Sequence, residues 1–276
     1  MSFVFGGATG DDVRFTTGVS AGATGQHTLV CMWVYPTTLT AGRGLWSFGT
    51  VFGAEIGTTT SEVTLRTDNT TDSVWNTSGL GLVTNKWQFL AFLNSCNNTG
   101  PATSWRVWIG DNETSPVEVT ATQATAPVGS FVGTTALCIG NKGTAGVVAF
   151  QGTIGSFTCM IQGTTGINYS IPLTTAGTIP QEAANQVLER LVRPLWQGRP
   201  DWKFWLLPTS SGSHEILHCP LDWYTTGIGT GWRRMIGSTA PRPADDITVG
   251  GGTASIEAPP RRPSDTWPNR TVVRRR

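Results

Sequence analysis

His214-Glu215-Ile216-Leu217-His218 has the residue types and spacing of a zinc-protease site. That chemistry needs a helix. Positions four apart then bring both imidazoles to one metal, with Glu215 as the base acting on a zinc-bound water. The surroundings oppose a helix. Ser210-Ser211-Gly212-Ser213 precedes the motif and Cys219-Pro220 follows it; no later His occurs, and the nearest downstream acid is Asp222. The motif is expected to be a chance match in a strand or loop.

Glycoside hydrolysis needs two carboxylates flanking one bond. Glu113 and Glu118 are five apart, so a straight strand would point them to opposite sides. Glu55 and Glu62 lie in separate segments. A Ser-His-Asp site would have to use His27, His214 or His218, and no G-x-S-x-G turn accompanies them. Gly6-Gly7-Ala8-Thr9-Gly10 lacks the Lys of a phosphate loop. No enzyme is expected.

Binding chemistry is better supplied. Asp11, Asp12, Asp68, Asp72 and Asp111 sit in turn-like stretches that can offer carboxylates and carbonyls to calcium. They are also ordinary turn residues, so no metal or other cofactor is assigned. Trp46, Trp75 and Trp108 could stack on a sugar ring, but Trp that alternates within strands mostly fills a core or an interface.

The elements that must position these residues follow from composition. The chain has 276 residues, 34 Gly, 12 Trp and a formal net charge of +1. Charged residues are 13%, about half the usual share, and apolar residues are 38%. That apolar content excludes a disordered chain. Three lysines (Lys86, Lys142, Lys203) exclude a long-helix protein, and no apolar run approaches the ~18 residues of a membrane span. Near-neutral charge gives no general nucleic-acid signal.

Short strands separated by Gly, Thr, Asn and Pro turns run to about residue 160. His27 to Tyr35 is apolar on both faces and is expected to be central and covered twice; Lys86 to Asn94 is similar. Further strands are expected at Gly44–Gly49, Ser61–Thr67, Trp105–Gly110, Thr134–Gly140 and Thr153–Ile161. One helix is expected from Pro180 to Leu191, with Val187, Leu188 and Leu191 on one face and Pro194 ending it. A strand is expected from Trp196 to Leu207. Cys31, Cys96, Cys138, Cys159 and Cys219 have no paired spacing and read as buried thiols. The opening Met-Ser-Phe-Val-Phe-Gly-Gly lacks the pattern of a secretory signal.

From about Pro241 the composition shifts to Pro, Gly and Arg. Six arginines lie between Arg261 and Arg276 against one acid, Asp265. Up to Trp232 the chain holds ten basic residues against fourteen acids. The +1 therefore averages a mildly acidic body and a cationic arm.

The order of elements resembles the laminin-G-like, concanavalin-A-like jelly rolls. The resemblance is carried by Phe3-Val4-Phe5-Gly6-Gly7, His27 to Pro36, Leu45-Trp46-Ser47-Phe48-Gly49 and Asn85 to Ala91. Trp105 to Asp111, Leu137-Cys138-Ile139-Gly140 and Phe150 to Gly155 continue it. Leu191-Val192-Arg193-Pro194, followed by Trp202 to Leu207, is similar to a pattern in tailed-bacteriophage proteins, where a laminin-G-like body is followed by a helix, a return strand and a Pro-rich arm.

The reading is an all-β, antiparallel jelly-roll β-sandwich of concanavalin A-like type, with one short helix and an extended C-terminal arm. Residues 1–208 are the body, with the helix near 180–191. Residues 209–240 are an irregular or strand extension packed on it, and 241–276 are the Pro/Arg-rich arm. The resemblance implies a non-enzymatic virion component, most readily a capsid decoration protein assembled in the host cytoplasm. It would form a homo-oligomer and contact other virion proteins such as the major capsid protein, without nucleic acid or membrane. Partner contacts are expected at Arg261, Arg262, Trp267, Arg270, Arg274, Arg275 and Arg276. The alternative is a carbohydrate-binding adhesin recognising host-surface glycans. A glycan-active or zinc-dependent hydrolase ranks last.

Overall fold

A computed structural model describes residues 2–8, 12–21, 25–97, 100–132, 134–142, 149–163, 177–198, 214–219, 233–236, 247–249 and 253–255. The first sheet is built on β3 (Gly25–Pro36), β9 (Gln88–Cys96), β10 (Thr103–Asp111) and β14 (Gln151–Gly163). β3 lies between β14 and β9, and β10 follows β9. β1 (Ser2–Gly6) and β15 (His214–Cys219) pair with successive stretches of β14, and β16 (Arg233–Ile236) pairs with β15. The second sheet runs β8 (Ser73–Ser78), β6 (Val63–Thr67), β5 (Phe52–Ile56), β4 (Gly44–Phe48), β13 (Thr134–Ile139) and β2 (Val13–Ala21). β11 (Val117–Thr125) joins the two, pairing first with β10 and then with β8. β7 (Asn69–Thr71) and β12 (Val128–Phe131) form a small ribbon at one end. All the strand ladders are antiparallel. The result is a jelly-roll sandwich.

Period-two alternation sorts the side chains of β3. Val30, Met32 and Val34 enter the core between the sheets, with Trp46, Phe48, Phe52, Phe92 and Trp105. Leu29, Cys31 and Trp33 enter a second core on the opposite face. β3 is thus covered twice, as its all-apolar sequence requires. In β14, Ile154 and then Phe157, Cys159 and Ile161 face the first core despite the change of parity. The register shifts between Gly155 and Phe157, and Ser156 takes φ 40°. One extra residue at this bulge keeps the apolar set on one side. Gly140 takes φ +76°, and a Cβ there would meet the ring of Phe5 at 2.1 Å; any other residue would be strained and would clash.

The second core is closed by helices. α1 (Gln181–Val187), a π-helical turn (Leu188–Val192) and α2 (Arg193–Trp196) follow one another without a break. Ala183, Ala184, Val187, Leu191, Val192, Leu195 and Trp196 pack on Leu29, Ala91, Leu93, Trp108 and Met160. Pro194 was expected to end the helix, and Trp196 to start a strand. Both expectations are corrected: the helical run continues through Trp196. The wide turn explains it. The N–H of Arg193 bonds to the carbonyl of Leu188, five residues back, and this loosened turn takes the proline ring that an α-helical turn would reject. Trp202 to Leu207 lie outside the described residues.

Two further strands come from the segment read as arm. β17 (Ile247–Val249) pairs with β2 in the second sheet, and β18 (Thr253–Ser255) pairs with β1 beside the first. Gly250-Gly251-Gly252 joins them in sequence. Residues 256–276 lie outside the described residues.

Candidate functional site

His214 to Cys219 is a strand, antiparallel to β14. At a strand rise of ~3.3 Å per residue, the Cα atoms of His214 and His218 lie about 13 Å apart. The two cannot share a zinc ion in the way the helical motif does. Among the described residues, no group of three His, Cys, Asp or Glu could hold a metal ion.

The carboxylates serve different places. Glu62 Oε2 accepts from Thr77 Oγ1 at 2.6 Å, and its Oε1 accepts from the N–H of Gly79 at 2.9 Å, pinning the loop after β8. Asp111 Oδ1 accepts from the N–H groups of Glu113 and Thr114, and its Oδ2 accepts from Lys86 at 2.6 Å. Burial pushes the Asp111 pKa up. The Lys86 hydrogen bond, the two backbone N–H groups and the Lys86 charge outweigh this and bring it down to about 2. Burial, and then the charge of Asp72, raise the pKa of Asp68. Asp12 is buried. Asp11 lies outside the described residues.

Trp46 and Trp108 are fully buried and cannot stack on a sugar. Trp75 is half-buried against the first core. Cys31, Cys96, Cys138 and Cys159 are buried and form no disulfide, and burial alone pushes the Cys31 pKa far up.

Two polar clusters were not singled out by sequence reasoning. One lies on the outer face of the second sheet. Glu55, on β5, accepts from Arg66 Nε at 2.9 Å and from Lys142 Nζ at 2.6 Å. Its side chain is 8% exposed, against 32% and 25% for the two cations. The cavity beside them is about 10 Å³, room for one water at most.

The other lies where β11 leaves β10. The two strands pair only over Val107–Ile109 and Val117–Val119. β10 continues to pair with β9 back to Thr103. Among the described ladders, no strand pairs with its other edge over residues 103–106. A cleft of about 330 Å³ opens there, lined by Trp105, Arg106, Glu118, Val119, Thr120, Ala121 and Gln181. Arg106 NH1 donates to Glu118 Oε1 and to Gln181 Oε1, both at 2.8 Å, and NH2 donates to the Ile179 carbonyl at 2.9 Å. Gln181 Nε2 donates to Glu118 Oε2 at 2.8 Å. The ring of planar groups holds the cleft wall and the start of α1 together. Ser104 Oγ and Trp105 Nε1 are buried beside this open edge without a hydrogen-bond partner. No sequence spacing announces this site, because Arg106 and Gln181 are 75 residues apart.

The expected partner residues Arg261, Arg262, Trp267, Arg270, Arg274, Arg275 and Arg276 lie outside the described residues. No described helix is long and apolar enough to cross a membrane.

No family model and no curated protein matches the chain. Solved structures do. The chain is similar to a heptameric SAP-like pentraxin from Limulus polyphemus at 12% identity and TM-score 0.36, over 57% of this chain and 74% of that one. It is similar to domains LG4-5 of the mouse laminin alpha1 chain at 12% identity and TM-score 0.39, over 65% of this chain and 46% of that one. A putative carbohydrate binding protein from Bacteroides ovatus matches at 12% identity and TM-score 0.33, over 58% of this chain and 44% of that one. The chain spans less than half of the laminin and Bacteroides chains. The likeness is one of fold, and no function is taken from it.

Proposed function

We propose that the chain is a non-enzymatic structural component of a tailed-phage virion, assembled in the host cytoplasm. The jelly roll is a rigid block that packs as an oligomer, and the basic arm clasps neighbouring subunits such as the major capsid protein. One observation carries this reading: β17 and β18 fix the chain to both sheets up to Ser255. The Arg-rich residues that follow therefore leave from an anchored point rather than from a loose end. Beyond that anchor six arginines stand against two acids, Glu257 and Asp265, and complement the chain up to Trp232, which has fourteen acids and ten bases. Deleting residues from Pro259 onward should abolish incorporation into particles while the body keeps its thermal transition. Incorporation of the truncated chain at the full-length level would sink the reading.

Carbohydrate recognition, as in an adhesin, is the second reading. The cleft beside β10 favours it, since preset Arg, Glu and Gln side chains offer hydroxyl groups both donors and acceptors. A glycan array probed with the full chain, with and without calcium, tests it; a blank array argues against it.

A further inference from the structure

An open strand edge is a site for another strand. Its unpaired N–H and C=O groups form a template that proteins usually cover, charge or shorten. Among the described residues, no strand pairs with the edge of β10 away from β9 over residues 103–106, and that edge faces a cleft instead of a ladder. Beyond Glu118, which Arg106 pairs, the opposite wall carries no charge. Val119 to Val132 contains no charged residue, and Thr120, Thr122 and Gln123 are exposed. Ser104 Oγ and Trp105 Nε1 add two buried polar atoms without partners on the same four residues. Successive residues of a strand face opposite ways, and only Trp105 of the two lines the cleft; its Nε1 is the buried donor there that an occupant's acceptor would satisfy.

The occupant is indicated by charge and by sequence. The cleft and the helix start beside it carry two carboxylates, Glu118 and the exposed Glu182, against one guanidinium, Arg106. Beyond Ser255 the chain has one run of three β-branched residues, Thr271-Val272-Val273, flanked by Arg270 and Arg274. β-branched residues suit an added strand, and flanking arginines suit carboxylates at its rim. Ser255 itself lies at the opposite side of the first sheet, on β18 beyond β1 and β14.

We propose that the cleft between β10 and β11 receives the C-terminal arm of a second copy of the chain. Thr271-Val272-Val273 lies along residues 103–106 of β10 as an added strand, and the flanking arginines face Glu118 and Glu182. The proposal rests on the clasp reading above and names the place where the clasp closes.

The test uses the full chain, with sedimentation over a range of concentrations and amide hydrogen exchange at Thr103 and Trp105, whose N–H groups point away from β9. Exchange of these amides should slow at least tenfold as the chain associates. Thr120→Arg in the cleft and the pair Val272→Asp/Val273→Asp in the arm should each reverse that protection and weaken association about tenfold or more. Thr71→Arg, exposed on β7, should change neither, which separates a site effect from added charge. Equal exchange in the full chain and the arm variant overturns the proposal. So does protection that is independent of concentration, which would mean a chain's own arm. Protection by a neutral oligosaccharide but not by the arm also overturns it. If the arm variant is lost from particles while exchange at β10 is unchanged, the clasp stands and this seat is wrong. If particles accept the arm deletion, the clasp reading itself fails.

Discussion

The two sheets treat their outer faces in opposite ways. The first sheet makes its outer face apolar and hides it under helices: Leu29, Cys31, Trp33, Ala91, Leu93 and Trp108 meet Val187, Leu191 and Leu195. The second sheet makes its outer face polar. Gly53, Glu55, Thr64 and Arg66 alternate there with core residues Phe52, Ala54, Val63 and Leu65. One face gains from desolvation, the other from a fixed set of charges. The scarcity of charge in the sequence is therefore uneven in space, since a sheet covered on both sides leaves little surface that needs it.

The largest effect should come from breaking the covered face. Trp108 has no exposed surface and packs between β10 and the helices. Trp108→Ala should cost about 3–5 kcal/mol, through lost burial and the cavity left behind. The denaturant midpoint of the purified variant measures it. A loss below ~1 kcal/mol would mean that the helical layer adds little to the fold.

The polar face should respond less. Glu55→Ala leaves Arg66 and Lys142 facing each other without their shared carboxylate. Both cations are partly hydrated, so the cost should be about 1–3 kcal/mol. Glu55→Ala combined with Arg66→Ala should recover part of it in a double-mutant cycle. Additive losses would show that Glu55 is held by packing and not by its cations.

These faces were not equally legible in the sequence. His27 to Tyr35 and Lys86 to Asn94 announce double coverage, because both alternating sets are apolar. The helix that supplies the cover was legible to Leu191 and lost beyond it, because Pro194 reads as a stop and a π-helical turn leaves no composition signal. β5 was missed. Phe52-Gly53-Ala54-Glu55-Ile56 is fully buried but contains a Gly and a carboxylate, and only contact with Arg66 and Lys142 makes Glu55 tolerable there. β11 was missed for the opposite reason. It is mostly exposed and rich in Thr and Ala, so no hydrophobic alternation marks it. The cleft went with it, since its walls come from β10, β11 and α1.

The link between the covered face and the cleft can be tested alone. Arg106 ties the start of the helices to β10, and Trp196 Nε1 ties their end to the Asp111 carbonyl at 2.9 Å. Arg106→Ala should cost about 1–2 kcal/mol, since the guanidinium is partly exposed and its bonds are partly replaced by water. The sharper readout is local. Amide exchange in α1 should speed up while exchange in β3 stays put. Equal acceleration in both would mean that the helical layer and the sheet open as one unit.

The smallest effect should be one of pH. Asp111 is held at about 2, below its ordinary 3.8, by Lys86 and by the N–H groups of Glu113 and Thr114. A carboxyl whose pKa is lower in the folded state binds fewer protons there than when unfolded. Its stabilisation is therefore complete above the unfolded value and fades as pH falls from about 4 toward 2. Asp111→Asn removes the titration but keeps an oxygen for the backbone N–H groups. The stability gap between the native chain and this variant should be flat above about pH 5 and shrink toward pH 2. Urea midpoints across that range decide the matter. A gap that is the same at pH 2.5 and pH 6 would assign the loss to altered turn geometry, and not to the charge that joins the end of β10 to Lys86.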